Sequence, residues 1–120
     1  MENLANQDEP NELYILWTSG DREVALSMVF MYAFNSKTKG FWDDVCLIVW
    51  GPSAKLLSQD EELQGRVRQM IEAGVKVEAC IACANMYGVT KILESLGIEV
   101  KGMGQPLTQL MKEGKKILSI

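Results

Sequence analysis

Short apolar runs alternate with amphipathic segments along the chain, and this alternation is what most limits its possible folds. Five runs have the length and composition of buried strands: Leu13 to Thr18, Asp44 to Trp50, Val75 to Ala79, Ile98 to Lys101 and Lys115 to Ile120. Helical patterns separate them, which predicts βαβ units and a parallel sheet with helices on both faces. We therefore expect an α/β fold that is flavodoxin-like in general architecture.

The length of 120 residues predicts one domain. Residues 1–11 are polar and acidic, so we expect a mobile N-terminal tail followed by a single domain over residues 12–120. The net charge of −4 argues against binding to nucleic acid or to an anionic membrane. No apolar run approaches the ~20 residues of a membrane span, and the N-terminus lacks the pattern of a signal peptide. These features predict a cytoplasmic protein.

The chain contains no histidine. This excludes catalysis by Ser-His-Asp or Cys-His groups and the imidazole ligands of most catalytic zinc sites. Three cysteines form an odd, sparse set, which is unlike a secreted disulfide framework and favours a reducing compartment. We predict neither a metal site nor a cofactor.

Two of the cysteines, Cys80 and Cys83, form a C-x-x-C pair where the third predicted strand gives way to a short helix. A thiol at a helix N-terminus is favoured as the thiolate, so Cys80 is a candidate nucleophile. The alternative is that Cys80 is a small buried apolar residue. Cys83 lies one helical turn further on, on the same face, and is either a second reactive thiol or a packing residue. Cys46 lies inside the second strand, where we expect it in the core.

Ligands of parallel sheets collect at the carboxyl ends of the strands. We therefore predict a pocket there, built from Ser19, Gly20, Trp50, Gly51, Ser53, Asn85, Tyr87 and Gly102. Ser53 and nearby backbone N–H groups could face an anion, whereas Asn85 and Tyr87 could equally lie on a helix surface. We expect the loop at Gly102 to be a turn that requires a positive φ.

The first predicted helix, Glu23 to Asn35, is apolar on nearly every side, with Ser27 as its clear polar interruption. A helix that packs on one core needs only one apolar stripe. A second subunit would bury the other side, so we predict a homo-oligomer.

Several blocks together resemble the DsrE/DsrF-like (DsrEFH) family of small sulfur-relay proteins. They are the opening strand Tyr14 to Gly20, the block Leu47 to Leu57, the stretches Gly74 to Cys80 and Tyr87 to Val89, and the tail segments Leu96 to Val100 and Gly104 to Thr108. The resemblance implies a three-layer α/β/α domain with a parallel five-stranded sheet, assembled as trimers or hexamers. It also implies that Cys80 takes up sulfane sulfur as a persulfide. Cys83 is not part of the sulfur-carrier pattern.

The leading hypothesis is a sulfurtransferase-like carrier that exchanges sulfur with donor and acceptor proteins or small persulfides through Cys80. Cys83 could then release the sulfur by forming a disulfide. One alternative is a non-catalytic oligomeric module that binds a small anion at the same pocket. Another is a dithiol redox protein of thioredoxin type, although there the C-x-x-C pair follows the first strand rather than the third.

Overall fold

The computed structural model describes residues 11–120, and five parallel strands form one sheet in this range. The strands are β1 (Glu12–Trp17), β2 (Asp44–Val49), β3 (Lys76–Cys80), β4 (Glu99–Lys101) and β5 (Lys116–Ser119). Their order across the sheet is β4-β3-β2-β1-β5, and every neighbouring pair is parallel. The predicted α/β class and five-stranded sheet are confirmed. Of the predicted N-terminal tail, all but Asn11 lies outside the described residues.

Helices connect successive strands. They are α1 (Arg22–Val24), a π-helix (Ala25–Phe30), α2 (Met31–Thr38), α3 (Pro52–Gln59), α4 (Glu61–Glu72), α5 (Ile81–Tyr87), α6 (Thr90–Ser95) and α7 (Gly104–Lys112). Within residues 11–120, none of them combines the length and hydropathy that a bilayer crossing requires.

Local sequence explains several helix boundaries. The carboxylates of Asp21 and Asp60 accept backbone N–H groups at the starts of α1 and α4, as N-cap residues do. Gly74, with a φ of +102°, follows α4 and lets the chain turn into β3. Helix α6 begins at Thr90, and Val89 holds its N-cap position.

The two faces of the sheet are covered unequally. Strands β1 to β4 step across the sheet in one direction, so right-handed connections place the intervening helices on one face. Ile15, Leu47 and Ala79 point to this face and join the large core. The return from β4 to β5 places α7 on the other face, where a smaller cluster contains Ile48 and Cys80. The predicted layers exist on both sides, but within residues 11–120 the second layer is a single helix.

The apolar first helix divides its side chains between core and solvent. Val29 and Phe30 are buried, whereas Met28, Met31 and Phe34 are 40%, 56% and 38% exposed. The six residues Ala25–Phe30 are π-helical, whereas the sequence predicted one continuous α-helix. An unpaired apolar face therefore remains on the described chain.

Candidate functional site

Cys80 lies where β3 meets α5. It is the last residue of the strand and the N-cap of the helix, with φ −73° and ψ 120°. Pleating directs its side chain to the face covered by α7, and its exposed fraction is 6%. The predicted position at a strand end is confirmed, and the thiol is sheltered rather than open to solvent.

Cys83 is the third residue of α5 and belongs to the same buried cluster as Cys80. Its Sγ accepts a hydrogen bond from the backbone N–H of Gly51 at 3.2 Å. Burial raises the pKa of the Cys83 thiol, the Gly51 N–H opposes that rise, and the neighbouring Cys80 thiol adds to it. Cys83 is therefore protonated at neutral pH.

The turn between β2 and α3 brings Gly51 to this cysteine. Gly51 has φ +69° and ψ −139°, a conformation that side-chain-bearing residues rarely adopt. Ser53 is fully buried, and its Oγ lies 2.6 Å from the Trp17 carbonyl oxygen and 3.1 Å from the Trp50 nitrogen. Its hydroxyl is thus used to join the ends of β1 and β2, and these contacts do not fit the predicted role in anion binding.

Apolar side chains form one cluster with Cys80 and Cys83. Ile48 and Met103 are buried beside them, while Trp50 and Tyr87 pack against the cluster from its rim. Trp50 and Tyr87 were predicted from their positions after β2 and in α5. Met103 was missed, although an apolar residue between two glycines, Gly102 and Gly104, is conspicuous in the sequence. Sequence periodicity could not place it, because it lies in a loop.

The remaining predicted pocket residues lie at the same edge with other contacts. Ser19 accepts the N–H of Asp21 at 3.1 Å, and a Cβ added to Gly20 would lie 3.2 Å from the Pro52 Cβ. Asn85 is exposed and accepts the hydroxyl of Thr90. Gly102 is exposed and is not among the glycines with positive φ, so the expectation of a positive-φ turn there is wrong. A Cβ added to Gly102 would meet nothing within 4 Å, so neither backbone conformation nor lack of space requires glycine here.

A charged cluster lies on the same face, nearer the amino ends of the strands. The Glu78 carboxylate is bound by Lys76 at 3.1 Å and Lys101 at 3.0 Å, and Cys46 donates to it at 3.7 Å. These groups line a cavity of ≈ 450 Å³ beneath α7. Burial raises the pKa of Cys46 to about 12, and Glu78 adds to the rise. Cys46 is buried as predicted, but its charged neighbours were missed, although a glutamate inside an apolar strand is a detectable exception.

The arrangement has a specific chemical capacity. Two thiols lie in one buried cluster, and a fixed backbone N–H contacts one of them. Such a pair supports nucleophilic sulfur chemistry or a reversible disulfide. Within residues 11–120, no group of three or more metal-binding side chains is placed to share an ion.

Solved structures of similar fold come from bacteria and an archaeon. The structure of a conserved protein of unknown function, BT1422 from Bacteroides thetaiotaomicron, is 43% identical, with a TM-score of 0.90, covering 92% of this chain and 95% of that one. The E. coli ychN protein is 12% identical with a TM-score of 0.69, covering 92% and 99%. MTH1491 from Methanobacterium thermoautotrophicum, also of unknown function, is 19% identical with a TM-score of 0.67, covering 93% and 100%. The last two show the fold alone.

Comparison with curated proteins gave no match. A family model does match, and it covers residues 13–120, from the second residue of β1 to the end of β5 and beyond. That span includes Cys80, Cys83 and the turn whose Gly51 N–H contacts Cys83. The chain therefore belongs to the DsrE/DsrF-like family.

Proposed function

We propose that the protein carries sulfane sulfur as a persulfide on Cys80. The observation that carries this proposal is the sheltered placement of Cys80 at the carboxyl end of β3, beside a second thiol. Membership of a sulfur-relay family supports the same chemistry. A persulfide needs shelter because its outer sulfur reacts readily with other thiols.

The loading step is a thiol exchange. The Cys80 thiolate attacks the outer sulfur of a donor persulfide, the donor sulfur–sulfur bond breaks, and the donor leaves as a thiolate. Cys80 then carries the outer sulfur. An acceptor thiolate attacks that sulfur in turn, and Cys80 leaves as the thiolate, so no external oxidant or reductant is needed.

The partners in this proposal are sulfur donor and acceptor proteins, or small persulfides. It also includes a homo-oligomer, a trimer or hexamer, in the cytoplasm. The exposed side chains of Met28, Met31 and Phe34 support the oligomer, because an apolar helix face of this kind is usually covered. Sedimentation velocity tests it: a monomer at micromolar concentration would contradict the oligomer, and Met31→Glu should lower the mass of an assembly.

Intact mass spectrometry tests the carrier function. The reduced protein is incubated with glutathione persulfide, and the expected product gains one sulfur atom. Cys80→Ser should abolish this gain. Cys46→Ser is the matched control, because Cys46 is a buried cysteine of the same cluster, and its gain should match the wild type. Absence of any sulfur adduct on wild-type protein and on Cys83→Ser would refute the proposal.

A dithiol redox protein is the second candidate, and the adjacency of the Cys80 and Cys83 thiols favours it. It predicts a reversible loss of two hydrogen atoms in thiol–disulfide buffers, with a defined reduction potential and without sulfur uptake. The anion-binding alternative has less support, because the Ser53 hydroxyl is engaged within the protein.

A further inference from the structure

Cys83 lies outside the sulfur-carrier pattern, and its contact with the β2–α3 turn has a geometry that suits a catalytic role. The Gly51 N–H points at the Cys83 Sγ at 3.2 Å, from a turn fixed by the φ of +69° at Gly51. The buried hydroxyl of Ser53 ties the same turn to the end of β1. A backbone donor held in place in this way stabilises negative charge on the sulfur it contacts.

The burial of Cys80 limits which thiols can reach the inner sulfur of a persulfide on this residue. Cys80 is 6% exposed, and Ile48 and Met103 are buried beside it. An incoming protein thiol reaches the outer sulfur more readily than the Sγ beneath it. Cys83 already lies in the same buried cluster as Cys80, so it is the thiol placed to attack the inner sulfur.

The spacing of the two cysteines permits a bond between them. Residues three apart on a helix have Cβ atoms about 5–6 Å apart, and a disulfide requires about 3.5–4.5 Å. Cys80 is the N-cap residue and has extended dihedral angles, so a modest rotation there closes the gap without unwinding α5.

Resting on the proposed persulfide at Cys80, we infer that Cys83 is a second catalytic residue that releases the carried sulfur as sulfide, with the Gly51 N–H stabilising its thiolate. The Cys83 thiolate attacks the Cys80 Sγ, the Cys80 sulfur–sulfur bond breaks, and HS⁻ leaves. A Cys80–Cys83 disulfide forms. The proton that Cys83 lost on becoming a thiolate is taken up by the departing HS⁻, which leaves as H₂S. A dithiol reductant then restores both thiols, giving up two electrons and two protons.

Because the pKa of Cys83 is raised, the rate of sulfide release should depend on pH. Burial and the adjacent thiol favour the protonated form of Cys83, so little of its thiolate is present at neutral pH. Release requires the Cys83 thiolate, and the release rate should therefore rise with pH beyond the ordinary thiol range near ~8.5.

The experiment follows sulfide release and intact mass together. Wild-type protein is loaded with glutathione persulfide, desalted, and monitored with a sulfide electrode and by mass spectrometry without reductant. We expect one sulfide per loaded chain and a final mass two hydrogen atoms below the dithiol. In Cys83→Ser the adduct should persist and release should slow at least about 100-fold, because an internal thiol acts at a very high effective concentration.

Cys83→Ala and Cys46→Ser complete the design. Cys83→Ala should behave as Cys83→Ser does, and Cys46→Ser should release sulfide as the wild type does, with thermal unfolding confirming that each variant is folded. Release at wild-type rates from both Cys83 variants, or an adduct located on Cys83, would overturn the inference while sulfur carriage stands. Failure of Cys80 to load in wild type and in both Cys83 variants would instead refute the proposed function.

Discussion

Removing the Ser53 hydroxyl tests how firmly the β2–α3 turn is held against Cys83. Ser53 is completely buried, and its Oγ lies within hydrogen-bonding distance of the Trp17 and Trp50 carbonyl oxygens and the Trp50 nitrogen. The hydroxyl has one proton, so it donates through the shorter contact, 2.6 Å to Trp17. Ser53→Ala removes this bond and the bond accepted from the Trp50 N–H.

The structure sets the size of the effect. Two neutral hydrogen bonds contribute about 1 kcal/mol each. The Trp50 N–H also bonds the Trp17 carbonyl directly at 3.1 Å, so neither backbone group is left without a partner. Alanine is favoured over serine in a helix by about 0.5 kcal/mol. The free energy of unfolding should therefore fall by about 1.5 kcal/mol, and Tm by about 5 °C.

Urea denaturation followed by tryptophan fluorescence measures this change. Ser58→Ala is the matched control, because Ser58 lies on the same helix and its hydroxyl donates to the Lys55 carbonyl near the surface. We expect Ser58→Ala to change the free energy of unfolding by less than about 0.5 kcal/mol. If Ser53→Ala cost no more than Ser58→Ala, the proposed anchoring of the turn would be wrong.

Three further predictions concern other parts of the site. Burial opposes ionisation of Glu78, but its two lysine partners outweigh burial and hold the pKa of Glu78 below its usual range. Its stabilisation is complete above the unfolded-state pKa and is lost as pH falls through the folded-state pKa. Glu78→Gln should thus cost about 1–2 kcal/mol at neutral pH and less in acid; urea titrations showing a pH-independent difference would contradict this. Cys46, with a pKa of about 12 caused first by burial, should resist iodoacetamide in the native protein at mildly alkaline pH and react only on unfolding; peptide mass mapping that finds rapid native labelling would count against it. Gly51→Ala should destabilise by about 2–3 kcal/mol and Gly88→Ala by about 1 kcal/mol, because Gly51 has ψ −139° whereas Gly88, with φ 70° and ψ 32°, is left-handed helical; equal midpoints of thermal unfolding would refute the distinction.

The sequence predicted features that depend on neighbours along the chain. Cys80 lies at a strand end as predicted, because the apolar run before it and the helical pattern after it are both local. The strand count followed from the same local periodicity.

Features that depend on distant contacts were missed. The sequence places Cys83 on a helix, but not against the Gly51 N–H, which is 32 residues away. Met103 enters the cysteine cluster from a loop, and Lys101 reaches Glu78 across a strand pair. Both contacts depend on sheet register and on the side of the sheet that α7 covers, and neither is encoded in a short window.

The single-helix second layer has a consequence for folding and access. Strand β5 pairs with β1 through Leu13 and Lys116, so this pairing closes the longest loop in the described chain and has a high entropic cost. Helix α7 contributes no fully buried residue to hold it in place. We expect α7 and β5 to form the least protected cooperative unit in native-state hydrogen exchange. Opening of this unit would expose the cluster that contains Cys80 and Cys83, giving a partner thiol a route to sulfurs that are buried in the closed form.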